Sequence, residues 1–446
     1  MKNLIVIIFF IFSLALNSQT LVTNTWLSGN KRSEGYAIDG KETGKWTFWY
    51  KDGKKYSEGI YENGIPTGEW KYWYDNGQLM TQYTELNGIY RSWHSNGVKE
   101  SEGMRSNNLK NGEWTFWHNN NQIARTAKFI DDKLEGEVIE YHENGNKAFQ
   151  GVYKNDKLES YAYWWYSNGS LEMEGKTINN LQDSIWIYYH ENGKIASKGS
   201  FLEGQLQGHW TYYYENGKIW RQGNYYNGAR TKVWQAFYEN GTKQREGSFA
   251  NDSENGLWTQ WYSNGNLQDR GNFKMGLMDG EWSGWYFEGQ KKYQTQYIRG
   301  LKNGKHIYWF QNGRKKEEGS FKDNHNEGKW TEWSELGKKL NSGSYKMGQK
   351  QGKWLFYDKQ GTKMRDQIFI DGKPNGKWTE YYPNGKKASE GIFVNRVKEG
   401  IWTNWDSKGT IVLQVEYRNG LKIKTIKDAA NEKDTKLKKP STTKPF

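Results

Sequence analysis

The sequence predicts an all-β protein: an elongated, twisted, single-layer antiparallel sheet of tandem 24-residue β-hairpin repeats. Three observations predict it. The first is composition. Of 446 residues 17% are aromatic, with 25 Trp, 31 Tyr and 18 Phe, yet mean hydropathy is −1.06. So polar a chain cannot fill several aliphatic cores, and so aromatic a chain is not disordered. The second is a repeat with a fixed step. The third is a period of two inside each repeat, in short aromatic and Thr-rich runs bounded by Asn-Gly and other Gly-bearing turns.

The repeat is read directly. Gly44-Lys45-Trp46-Thr47-Phe48-Trp49-Tyr50-Lys51-Asp52-Gly53 returns as Gly68-Glu69-Trp70-Lys71-Tyr72-Trp73-Tyr74-Asp75-Asn76-Gly77. A Trp-like marker stands at 46, 70, 90 and 114, and then every 24 residues to 402; only the step from 70 to 90 is 20. Trp fills twelve of these sixteen markers, and Tyr90, Val138, Ala162 and His306 fill the others. Gly precedes the marker by two in thirteen units, and an aromatic follows it by three in all sixteen. Such a register marks a stacked repeat architecture.

In chain order, residues 1–19 read as a signal peptide. Lys2 is followed by an apolar run from Leu4 to Leu16, too short to span a bilayer. The chain has no Cys, so neither a lipid-anchored Cys nor a disulfide is expected. The expected location is exported: periplasm, cell surface or extracellular. Residues 20–43 read as a degenerate N-terminal capping repeat, and 44–421 as sixteen hairpin repeats. Residues 422–446 read as a basic disordered tail. Net charge is +13, mildly spread along the repeats, which favours loose association with anionic glycans or lipid head groups over nucleic acid.

Asn-Gly closes ten of the hairpins, and a two-residue type I′ turn is expected there because both residues tolerate positive φ. Counting outward pairs Tyr50 with Lys55, Phe48 with Ser57, Trp46 with Gly59 and Gly44 with Tyr61. Each ring is then expected to lie over the glycine opposite it. Alternation puts Trp46, Phe48, Tyr50, Lys55 and Tyr61 on one face and Thr47, Trp49 and Tyr56 on the other. The 20-residue step is expected to shorten one inter-unit turn and leave its strands whole.

Catalytic chemistry is not expected. His94, His118, His142 and His190 share one repeat position two strands apart, about 9.6 Å, too far for two imidazoles to meet on one metal. They are read as replacements for the Tyr usual there. No phosphate-binding loop, zinc-protease motif or nucleophile elbow occurs. The Glu317-Glu318 pair follows Lys315-Lys316 and reads as mixed surface charge. Glu58, Glu102, Glu246 and Glu390 recur at one position and read as structural. No catalytic, cofactor-binding or metal-binding residue is assigned. The candidate ligand-contact aromatics are Phe48, Tyr72, Phe116, Trp164, Tyr188, Tyr212, Tyr308 and Phe356. They share a strand site that elsewhere holds Ser92, Glu140, Ala236 or Asn404, so the fold does not demand a ring there.

The recurring Gly-x-Trp-x-x-aromatic-aromatic-x-Asn-Gly-Lys, then Glu-Gly, resembles the MORN-repeat variant family. Trp210-Thr211-Tyr212-Tyr213-Tyr214-Glu215-Asn216-Gly217-Lys218 and Trp378 to Lys386 carry it well. The resemblance covers residues 22–421 and implies a stack of β-hairpins. It also implies a scaffold that contacts proteins or phospholipid head groups; related bacterial chains are often labelled YwqK-type antitoxins. The expected function is an exported, non-enzymatic repeat scaffold for protein–protein interaction at the cell envelope. The alternatives are a glycan- or anionic-lipid-binding envelope protein, and an antitoxin-like immunity protein. The expected partner is another protein, or else envelope glycan or anionic lipid; neither nucleic acid nor a transmembrane span in the mature chain is expected.

Overall fold

A computed structural model describes residues 18–430, which form 35 β-strands. They fall into two compact units, one ending at Gly217 and one starting at Lys218. Within each unit consecutive strands pair antiparallel, giving an open single-layer meander. Residues 1–17 of the expected signal and residues 431–446 of the expected tail lie outside the described residues.

The first strands show the pattern: β1 (Thr20–Thr25), β2 (Lys31–Ile38), β3 (Lys41–Trp49), β4 (Lys55–Glu62) and β5 (Ile65–Trp73). The marker tryptophan sits on the outgoing strand of each repeat. Eleven of the twelve marker tryptophans are buried. They form most of the core, and where the marker is Val138 or Ala162 the core is completed by Ala127, Phe129, Phe149 and Leu158.

The two turn types are the reverse of the expectation. Inside a repeat, Tyr50 N donates to Lys54 O (2.8 Å) and Gly53 N to Tyr50 O (3.0 Å), and only Gly53 has positive φ (87°). This is a longer loop with a left-handed glycine, not a two-residue turn. The type I′ chemistry lies between repeats, where Asn63 (φ 52°) and Gly64 (φ 79°) are both left-handed. The Asn of the longer loop is kept for its side chain. Asn76 Oδ1 accepts from Gln78 N (2.9 Å), and its Nδ2 donates to Ser95 O of the next repeat (2.8 Å).

Beyond that loop the expected pairing is recovered through a bulge. Trp49 faces Lys55 and Phe48 faces Ser57, which leaves Tyr56 as the extra residue; Trp46–Gly59 and Gly44–Tyr61 then follow as counted. The bulge exchanges two side chains between faces. Lys55 lies over the Trp73 ring on the Trp49 side (4.8 Å), while Tyr56 reaches Tyr72 (5.8 Å).

The glycines also divide. A Cβ on Gly59 would sit 2.1 Å from the Trp70 ring, and one on Gly35 2.3 Å from Trp46. Wherever that glycine is present, the indole therefore covers the glycine of the preceding repeat, not the one in its own hairpin. In most repeats its N–H is anchored there as well: Trp46 Nε1 donates to Tyr36 O (3.0 Å) and Trp210 Nε1 to Ser200 O (3.0 Å), whereas the Trp70 Nε1 is buried without a partner. Gly44 is covered by nothing and sits at φ 64°, so backbone conformation selects it.

Departures from the pattern compensate one another. Val138 at a marker meets Ala127 at the glycine position, and both are buried. His306 meets Thr295, with Thr295 Oγ1 2.7 Å from His306 Nδ1. Trp378 meets the buried Gln367 and is the one marker tryptophan left half-buried.

The 20-residue step corrects another expectation. β6 (Leu79–Thr84) and β7 (Asn87–Trp93) have six and seven residues where other repeats have eight and nine, which accounts for all four missing residues. The turn keeps two residues, and the β6–β7 register runs without a bulge. At the N-terminus β1 and β2 do form a hairpin, which supplies the glycine and carbonyl that Trp46 uses. At the other end, residues 422–428 of the expected tail are ordered. Leu421–Asp428 is a strand paired with Ile411–Arg418, tied by Lys424 to Glu416 (3.4 Å), because the preceding strand offers it a free backbone edge.

Candidate interaction surface

Each unit presents two faces and two rims. The indole face carries Trp46 and, two residues on, the candidate contact rings. All eight, Phe48, Tyr72, Phe116, Trp164, Tyr188, Tyr212, Tyr308 and Phe356, are half-buried and none is fully exposed. Phe48 stands between Trp46 (6.1 Å) and Trp70 (6.3 Å), and Tyr188 between Trp186 (6.1 Å) and Trp210 (6.3 Å). Trp164 packs on Trp186 (5.5 Å) and Phe356 on Trp354 (6.2 Å). These rings fill the grooves between marker indoles. Where the ring is missing, the opposite strand fills the space: Tyr293 covers Gly284, and Ser92 shares a 2.7 Å hydrogen bond with Ser101. The contact rings therefore belong to a ladder of packed side chains with only their outer edges in solvent.

The opposite face carries charge over rings. Lys55 lies over Trp73 and 2.8 Å from Glu58; Lys243 lies over Trp261 (5.3 Å) and 2.6 Å from Glu246; Lys387 lies over Trp405 (5.6 Å) and 2.8 Å from Glu390. The recurring carboxylates thus hold lysines over the next repeat's ring. Hydrogen bonds from Lys99 and Lys243 keep the Glu102 and Glu246 carboxyls below the usual range. Glu318 is paired with Lys315 (2.7 Å) and Glu317 with His306 (3.3 Å).

On this lysine face, the residue just before the marker is charged in nine repeats, as Lys45, Glu113 or Lys377, but apolar in others. Tyr161, Ile185 and the neighbouring Val152 are exposed in the first unit, as are Val233 and Leu257 in the second. Ile89 and Met104 face each other across paired strands, 44% and 48% exposed. These side chains are not used to hold the stack. The sequence reading missed them; the signal was an apolar residue at a repeat position otherwise given to Lys or Glu.

Both rims tie repeat to repeat. Tyr50 Oη donates to Trp73 O (2.8 Å) and Tyr74 Oη to Trp93 O (2.9 Å). His94, His118, His142 and His190 take that role through Nε2, at 3.0, 2.8, 2.8 and 3.1 Å from the next repeat's carbonyl. The histidines do replace tyrosine, in the same hydrogen bond. On the other rim Gly64 N donates to Glu42 O (2.8 Å).

Among the described residues no helix is long and apolar enough to cross a membrane. The sequence pattern of the MORN repeat variant matches residues 42–63, 66–84, 134–155, 182–203, 206–227, 230–251, 254–275 and 374–395. No curated protein matches the sequence. Solved structures similar over most of the chain include those of TcdB2-TccC3-Cdc42 (10% identity, 89% of this chain, 23% of that chain, TM-score 0.15) and TcdB2-TccC3-TEV (11% identity, 94% of this chain, 27% of that chain, TM-score 0.15). The chain spans about a quarter of the length of those chains.

Proposed function

We propose, from the premise that this chain is a MORN-repeat-variant protein, that it is an exported, non-enzymatic scaffold whose lysine face binds another protein. MORN repeats generally mediate protein or membrane interactions and form a non-catalytic scaffold. One observation carries the reading further. The indoles, rims and salt-bridged lysines account for the cohesion of the stack, and the exposed apolar side chains of the lysine face, Tyr161, Ile185 and Val152 among them, are left over. Exposed apolar residues framed by charge match the composition of a protein interface with a polar rim. The apolar segment after Lys2 supports export, and the cell envelope is the proposed place of action.

The test is affinity capture from envelope extracts with the full mature chain. A specific partner lost on Tyr161→Glu or Ile185→Glu, with the β-rich circular dichroism spectrum unchanged, supports the proposal. Recovery of no protein partner by the folded chain, or capture indifferent to both substitutions, overturns it.

A further inference from the structure

The first turn rim holds a feature the other repeats lack. Trp26, Trp49, Tyr50 and Tyr56 line a hollow of about 540 Å³ together with Lys51, Asp52 and Asp75. Two departures from the repeat create it. Trp26 stands where later repeats carry Tyr50, Tyr74 or His94, and Tyr56 where they carry Met80, Glu100 or Ala124. The Trp26 ring is fixed by its own N–H, which donates to Trp49 O (3.2 Å). Tyr50 and Tyr56 meet at 68° with centroids 5.0 Å apart, so the walls form a corner and not a flat stack. Tyr56 is exposed, which leaves the hollow open to solvent.

The surrounding charges select the ligand class. A cation would seek the ring faces, but Arg32 (5.0 Å) and Lys51 (5.6 Å) already stand over Trp26. An anion would meet the carboxylates of Asp52 and Asp75. What fits is a neutral molecule with apolar C–H faces for the rings and hydroxyl groups for the rim. Lys51 is a donor to such hydroxyls, and Asp52 and Asp75 are acceptors. The volume lies within the range of small-molecule clefts. We propose that this hollow is a subsite for a neutral oligosaccharide, with the exposed Tyr56 as its stacking surface and Trp26, Trp49 and Tyr50 as its walls. It is independent of protein binding on the lysine face.

The test uses the full mature chain with chitotriose, cellotriose and maltotriose, by saturation-transfer difference NMR and isothermal titration. At least one should bind saturably, with Kd on the order of 0.1–1 mM. Tyr56→Ala and Trp26→Ala should each weaken that binding about tenfold, the cost of one lost ring contact. Trp220→Ala, the ring at the position of Tyr56 in another repeat, should leave it unchanged. Because Tyr56 is exposed, its variant keeps the fold and the test stands even if Trp26→Ala disturbs the first hairpin. No saturable binding of any of the three sugars up to about 10 mM overturns the proposal. So does equal loss on Trp220→Ala, or binding of tetramethylammonium in their place.

Discussion

At the scale of single residues, the working part is an indole and a glycine eleven positions before it. In Gly343 a Cβ would lie 2.2 Å from the Trp354 ring, closer than any side chain can tolerate, and the indole N–H is held by Ser344 O (3.0 Å). Gly343→Ala should therefore displace a ring and cost about 2 kcal/mol, within the range of core overpacking. Trp354→Val should cost about 3 kcal/mol by leaving a cavity. The double variant should cost less than the sum, because Ala127 with Val138 already fills that space. A double-mutant cycle in urea checks this, and strict additivity would contradict it. Charge acts at the same scale. Glu102 and Glu246 are held below their ordinary value of 4.5 by Lys99 and Lys243. A depressed carboxylate adds stability above its unfolded pKa and loses it as pH falls through the folded one. Burial raises Asp269, against a hydrogen bond from Tyr293, so its contribution grows as pH falls. The urea midpoint should be level near neutrality and fall below about pH 4.5. Glu246→Gln should soften that fall by only a few tenths of a kcal/mol, since the ion pair is about one-third exposed. Asp269→Asn should steepen it.

At the scale of the hairpin, the rim bonds explain why Tyr, His and Asn recur beside the turn. His142 Nε2 donates to Trp165 O (2.8 Å), as Tyr166 Oη does to Tyr189 O one repeat later (2.9 Å). His142→Tyr should thus be nearly neutral, while His142→Phe should cost about 1 kcal/mol for a carbonyl left without its donor. Chemical denaturation of the two variants separates a hydrogen-bonding role from simple ring packing, under which Phe would do as well as Tyr. Asn144→Ala removes a bond to Ser167 O (2.6 Å) and one from Asn146 N (3.0 Å), and it should cost about the same despite being fully at the surface.

At the scale of the molecule, stability is a sum of repeats and their contacts, because nearly every indole rests on a glycine of the repeat before it and most donate to its carbonyl. Removing residues 258–281 would bring Trp282 behind Leu257 and hand it Gly247 to cover, so the chain should fold with a modest loss of thermal stability. Removing only residues 258–269 puts a returning strand where an outgoing one belongs, and should abolish cooperative unfolding through the second unit. Circular dichroism melts of the two deletions distinguish a repeat-additive structure from one that merely needs length.

The strand order, the 24-residue period, the pairs Trp46–Gly59 and Gly44–Tyr61 and the exchange of His for Tyr were all legible, because each rests on local alternation or on a side chain's own chemistry. Three things were not. Which turn takes the left-handed pair depends on the bulge at Tyr56, and Asn-Gly suits either turn. Where an indole has a glycine on each neighbouring strand, as at Trp46, no count within a hairpin says which one the ring covers; packing across the repeat boundary chooses the earlier. What fills the contact-ring position when the ring is missing was the third, because a side chain such as Tyr293 reaches it from the opposite strand, over Gly284. The sequence by itself determined a repeating hairpin with an indole core. The tertiary structure alone decided which side chains that core consumes and which it leaves exposed, since burial is settled between strands distant along the chain.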